Sequence, residues 1–172
     1  MLKHILVPLD GSALSEQALE QALEVTCDAA KITLLSVIEI PVDYEYALVD
    51  IPLTVVTARK YNEDEFNSTY RRVHDYLTGH ATKLVKKGYE VECVVETGDP
   101  AKLINDIATE RGVSAIVMTT HGRTGLQRWL FGSVTQKVLN QMTCPVVVIP
   151  GTVPEKTKVD IKAADDTVAA TG

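Results

Sequence analysis

Residues 113–135 read VSAIVMTTHGRTGLQRWLFGSVT. The first six are mostly apolar, the pattern of a short buried strand. Gly122 follows, then nine residues, then Gly132-Ser133, after which residues 133–142 become helix-like. Residues 145–149 (PVVVI) supply a second apolar strand. Strand, glycine-bearing loop, helix and strand in this order make a β-α-β unit, whose strands run parallel with the helix packed on the sheet. A helix opened by Gly-Ser also turns backbone N–H groups and the positive end of its dipole outward, which suits an anion such as phosphate.

The alternation continues toward the N-terminus. Residues 4–9 (HILVPL) are strand-like and end at Asp10-Gly11-Ser12. Residues 12–28 place Leu14, Ala18, Ala22 and Val25 on one helical face, with Ser12 as N-cap. Residues 31–38 form the second strand and 90–97 the third. Between them, residues 39–59 are irregular and read as a surface excursion. Residues 57–87 read as a long amphipathic helix with Phe66, Tyr70, Val73, Leu77, Ala81 and Leu84 in its stripe. Asp99-Pro100 opens a helix that runs to Arg111. The expected fold is a single α/β domain over residues 1–150, an open five-stranded parallel sheet with helices on both faces. Residues 151–172 turn polar without periodicity and read as a flexible extension.

Composition narrows the function classes. The chain has 172 residues, enough for one full core. Its net charge of −6 argues against a general nucleic-acid surface. No apolar run approaches the roughly 20 residues that a membrane-spanning helix needs. Without a signal-peptide pattern at the start, a cytoplasmic location is expected. Cys27, Cys93 and Cys144 are odd in number, widely spaced and free of CxxC pairing, so they read as apolar fillers in a reducing compartment. His4, His74, His80 and His121 lack metal-ligand spacing.

In a parallel sheet, ligands bind beyond the C-terminal strand ends where the strand order reverses. With the first strand central, Asp10 and the Gly122–Ser133 connection converge there. Neither GxxxxGK[ST] nor GxGxxG occurs. On spacing alone two readings stand side by side. One is a phosphate site, with hydroxyls from Ser133 and Thr135 and cations from Arg123 and Arg128. The other is a glycine-rich connection leading into a capped helix. Asp10 likewise reads either as a ligand-facing carboxylate or as the side chain of an Asx turn.

These residues resemble the universal stress protein family, specifically its ATP-binding branch. That branch carries a glycine, two residues, a glycine, nine residues, and a glycine followed by Ser or Thr. Gly122, residues 123–131 and Gly132-Ser133 match the second and third elements, within MTTHGRTGL and GSVT, and VPLDGS at residues 7–12 matches as well. Thr119 stands where the first motif glycine is expected, its backbone carbonyl and N–H taken as open to a ligand.

The resemblance implies a role for each matching residue. Asp10 faces the ribose or a phosphate-bound Mg²⁺. Val37 offers backbone groups to the adenine in a pocket shaped by Pro8 and Leu9. Met118 and Thr119 line base and ribose. His121, Gly122 and Arg123 wall the phosphate loop, and Gly132, Ser133, Val134 and Thr135 hold the phosphates. It also implies a homodimer joined through residues 145–149, whose apolar edge invites pairing. Trp129 and Phe131 then serve core packing or the dimer contact. The function implied is an ATP-holding regulatory or stress-response switch with at most slow hydrolysis. Two alternatives remain at this point: a dimerisation module of the same fold without nucleotide, and an ATP-dependent enzyme of a related fold, for which Asp10-Gly11-Ser12 lacks the SGGxD loop.

Overall fold

The computed structural model describes residues 1–39, 63–122 and 132–152, with backbone alone at 121, 122 and 152. Strands and helices alternate as β1 (Leu2–Pro8), α1 (Ala13–Val25), β2 (Thr26–Ile38), α2 (Glu63–Lys86), β3 (Glu90–Thr97), α3 (Pro100–Glu110), β4 (Ala115–Gly122), α4 (Ser133–Asn140) and β5 (Val146–Thr152). All neighbouring strands pair in parallel in the order β3-β2-β1-β4-β5. β1 is central, and the chain reverses its direction of travel across the sheet between β1 and β4.

Alternate side chains of β1 point to opposite faces, and each face has its own core. Ile5 and Val7 join Ala18, Leu19 and Ala22 of α1 and Leu77 and Leu84 of α2. Leu6 joins Ala101, Ile104 and Ile107 of α3 and Val138 of α4. The sheet is therefore covered on both sides, as its near-continuous apolar strands require. Among the described residues, no helix is long and apolar enough to cross a membrane.

Several expected boundaries shift. α1 stops at Val25, three residues early, because Thr26 is extended and buried and returns its hydroxyl to the Leu23 carbonyl at 3.0 Å. β2 starts at once, with an irregular register against β1 and Ala29 at φ 56°. β4 begins later than expected and runs on through Thr119 and Thr120 to Gly122, because β5 continues beside it to Thr152. β5 thus passes the expected domain end at residue 150 by two residues. α4 ends at Asn140, not at residue 142. The expected excursion, the first residues of the long helix, Trp129, Phe131 and the extension from 153 onward lie outside the described residues.

Cys27, Cys93 and Cys144 are free and half-buried. Desolvation by burial pushes the Cys93 and Cys144 thiols up, so neither is held as a reactive thiolate. At the sheet's edge, Val146, Val147 and Val148 of β5 remain half-buried.

Candidate functional site

Beyond the C-terminal ends of β1, β2 and β4 lies a cleft of about 290 Å³. Its base is Pro8 and Leu9 from β1, Leu35 and Val37 from β2, and Met118 and Thr119 from β4. Its rim is the start of three helices: Ser12, Leu14 and Ser15 at α1, Pro100 and Ile104 at α3, and Gly132, Ser133, Val134 and Thr135 at α4.

The β1 side is tightly held. The Leu9 N–H donates to the Leu35 carbonyl at 2.8 Å, and the buried Ser36 hydroxyl donates to the Leu9 carbonyl at 2.6 Å. Asp10 is thereby fixed at the cleft mouth. Gly11 follows at φ 80°, a turn that a side chain rarely allows. Asp10 Oδ1 accepts the Ser12 N–H at 2.9 Å, and Ser12 Oγ accepts the Ser15 N–H at 3.1 Å. The Ser15 hydroxyl donates to the Ser12 carbonyl at 2.9 Å and accepts from the Asp10 N–H at 3.3 Å.

Partial desolvation pushes the Asp10 carboxyl up, but hydrogen bonds from Ser12 and Ser15 outweigh it and hold the group below its ordinary value. Asp10 is therefore an exposed, ionised carboxylate that forms an Asx turn and faces the cleft at once. The Asx-turn reading is the one the hydrogen bonds show, in a residue that also lines the cleft.

α3 opens with its own cap. Asp99 accepts the Lys102 N–H at 2.9 Å and Lys137 Nζ at 3.3 Å. α4 differs: its N-cap is Gly132, and no side chain caps it. Ser133 is exposed there, whereas Thr135 is buried. The Thr135 hydroxyl donates to the Thr119 carbonyl at 3.1 Å. One expectation is corrected by that bond: the Thr135 hydroxyl is already donated within the protein, whereas the Thr119 carbonyl keeps a second lone pair.

The structure gathers Pro8, Leu9, Asp10, Val37, Met118, Thr119, Gly132, Ser133, Val134 and Thr135 around one cleft. The backbone of His121 and Gly122 occupies the last two positions of β4, opposite Gly151 and Thr152. Arg123 and Arg128 lie outside the described residues. Sequence reasoning missed Ser15, Leu14, Glu39, Pro100 and Ile104 as cleft residues. The signal for Pro100 was present, since every strand-to-helix turn of a parallel sheet emerges on the same edge.

A second cleft of about 300 Å³ shares Leu9, Asp10 and Val37 and opens toward Arg72, Val73 and Tyr76 of α2. Burial and the Glu16 carboxylate, which accepts from Tyr76 at 3.1 Å, push the phenol up to about 12. Tyr76 is accordingly a hydrogen-bond donor at neutral pH. Among the described residues, no group of three or more His, Cys, Asp or Glu side chains could hold a metal ion.

Comparison with protein-family models matches residues 1–150 to the Universal stress protein family. The chain belongs to the universal stress protein family. It is 31% identical over 150 residues to universal stress protein YxiE of Bacillus subtilis, covering 87% of this chain and 99% of that protein. It is 30% identical over 154 residues to universal stress protein MJ0577 of Methanocaldococcus jannaschii, covering 87% and 95%. The solved structure of MJ0577 superposes with a TM-score of 0.69 at 27% identity, covering 88% of this chain and 97% of that one. At the level of fold alone, the chain is similar to a universal stress protein in complex with cAMP (TM-score 0.58, 17% identity, 88% and 98% covered). A universal stress protein family protein of Arabidopsis thaliana with AMP bound gives a TM-score of 0.57 at 17% identity, with 91% and 97% covered.

Proposed function

We propose that this universal stress protein belongs to the ATP-binding branch and holds ATP with Mg²⁺ in the cleft between β1, β4 and α4. In this reading it acts as a nucleotide-dependent regulatory switch in the stress response, in the cytoplasm, as a homodimer joined through β5. The observation that carries the reading is the start of α4. Gly132 leaves its first N–H groups without a side-chain cap, and they open onto a cleft of nucleotide scale across from Asp10.

Adenine sits on the apolar base near Val37 and Met118, ribose lies by Asp10 and Thr119, and the phosphates meet Gly132 to Val134. The family resemblance assigns the wall of the phosphate loop to His121, Gly122 and Arg123. Mg²⁺ would be held mainly by the phosphates, with the ionised Asp10 carboxylate at the cleft mouth as the residue that would ligate it from the protein and offset its charge. Hydrolysis is slow in this reading, because the depressed Asp10 carboxyl is a weak base.

A second reading, a homodimeric module without nucleotide, is favoured by one observation. Thr119 occupies the first motif-glycine position, and its carbonyl already accepts one hydrogen bond, from Thr135. The deciding experiment denatures freshly purified protein, identifies the released small molecules, and titrates the emptied protein with ATP, AMP and cyclic AMP. Adenine nucleotide in the supernatant, or saturable binding below millimolar, supports the switch. No release and no binding at millimolar concentration hands the assignment to the module.

A further inference from the structure

Gly151, next to last in β5, is buried and pairs with His121 of β4. It does not line the cleft, yet the space around it is already filled. A Cβ at Gly151 would run into Leu14 Cδ1 and lie 2.9 Å from Leu14 Cγ and 2.9 Å from the Thr120 carbonyl oxygen. Real Cβ atoms do not make contacts this short, so Leu14, the end of β4 or the Gly151 backbone itself would have to move. The backbone of Gly151 is not in the left-handed region, and the demand is for space alone.

Only one of those two neighbours lines the cleft itself. Leu14 stands in the first turn of α1 and lines the cleft itself. Thr120 follows Thr119, which lines the cleft from β4, and its strand leads directly into His121 and Gly122. Packed interiors pass such a displacement on, because they hold little free volume to absorb it. We propose that Gly151 is a positioning residue for the nucleotide cleft: its missing side chain fixes where Leu14 and the end of β4 stand, and so sets how the first turn of α1 seats on β4 beside the cleft. The inference rests on the nucleotide reading for its ligand, though not for its geometry.

The test uses the full chain and the substitutions Gly151→Ala, Leu14→Ala and the two combined. Backbone-amide and methyl NMR without nucleotide reads the walls directly. Gly151→Ala shifts the Leu14, Met118 and Thr119 signals, and adding Leu14→Ala returns those of Met118 and Thr119 toward the wild type. ATP titration of the same proteins reads the consequence: affinity falls about tenfold in Gly151→Ala, as expected for a site displaced by a fraction of an ångström, and the loss on adding Gly151→Ala is smaller when Leu14→Ala is the starting protein.

A core control separates positioning from general weakening. Leu84→Ala, buried on α2 and absent from both clefts, lowers the melting midpoint and leaves the affinity of the folded protein unchanged. Unmoved Met118 and Thr119 signals in Gly151→Ala overturn the proposal. So does an ATP affinity that falls equally in Leu84→Ala. If Gly151→Ala does not fold, the double variant carries the test: recovery of fold with wild-type-like Met118 and Thr119 signals supports the proposal, and continued unfolding overturns it. A wild-type chain that binds no nucleotide, with signals that still move as stated, removes the ligand reading and leaves the positioning role standing.

Discussion

Three helices begin at one end of the sheet, and they begin differently. α1 is capped by Ser12, and α3 by Asp99 with Lys137 behind it. α4 begins at Gly132 with no side-chain cap. A Ser, Thr, Asp or Asn cap is worth only a few tenths of a kcal/mol more than Gly, so leaving α4 without one costs the fold little. The two closed starts frame the cleft, and the open one presents N–H donors to it. In the proposed nucleotide reading, the contrast separates a helix start that serves the fold from one kept for a ligand.

Filling the open start gives the largest effect. Gly132→Val is expected to weaken ATP binding by at least about 100-fold, roughly 2.8 kcal/mol, with the melting midpoint nearly unchanged. Unaltered affinity by calorimetry would remove α4 from the site. Converting the open start into a closed one is more informative. Gly132→Asp should abolish ATP binding through a carboxylate set among the phosphates, while gaining a few tenths of a kcal/mol in urea unfolding. A variant that loses both binding and stability would show that Gly132 serves the fold.

Thr135→Val leaves the Thr119 carbonyl without its donor and should cost about 1–3 kcal/mol, read by urea unfolding, with a smaller loss of ATP affinity. Asp99→Ala is the matched experiment on a closed start: about 0.5–2 kcal/mol less stable, with ATP affinity within error of the wild type.

The smallest effect is in acid. The Lys102 N–H lowers the Asp99 carboxyl from its ordinary 3.8, Lys137 adds to this, and slight desolvation opposes it. With the folded-state value depressed, the cap's contribution is complete above the ordinary value and is lost as pH falls through the folded one. Melting midpoints taken from pH 5 downward should therefore fall less steeply in Asp99→Asn than in the wild type. Parallel slopes would show that the capping carboxylate is not what titrates.

The closed starts were legible in the sequence because a cap is local. Ser12 and Asp99-Pro100 sit beside the helices they begin, and three residues settle the chemistry. Five parallel strands and the convergence of Asp10 with Gly132-Ser133 followed from alternation and from β1 being central. What escaped was non-local. Thr119 and Thr120 read as loop because their strand character depends on β5 lying alongside. The Thr135–Thr119 bond joins two groups that each looked available to a ligand. Gly151 fell in a stretch read as a tail, and its importance comes from Leu14 at the far end of the sequence. Val25-Thr26 carries no glycine or proline to announce that α1 ends there.

The central place of β1 also sets an order of assembly. Its ladder with β2 closes over a short stretch of chain, whereas its ladder with β4 joins Ile5 to Ala115 and Leu6 to Ile116. Loop closure over so long a segment is entropically costly and slow, and on a ribosome it must wait until β4 has emerged. The half of the sheet made by β1, β2 and β3 can pair first, and the edge of β1 meant for β4 stays open meanwhile. The cleft thus cannot form until β4 and α4 have joined β1, which makes it a late part of the molecule to exist.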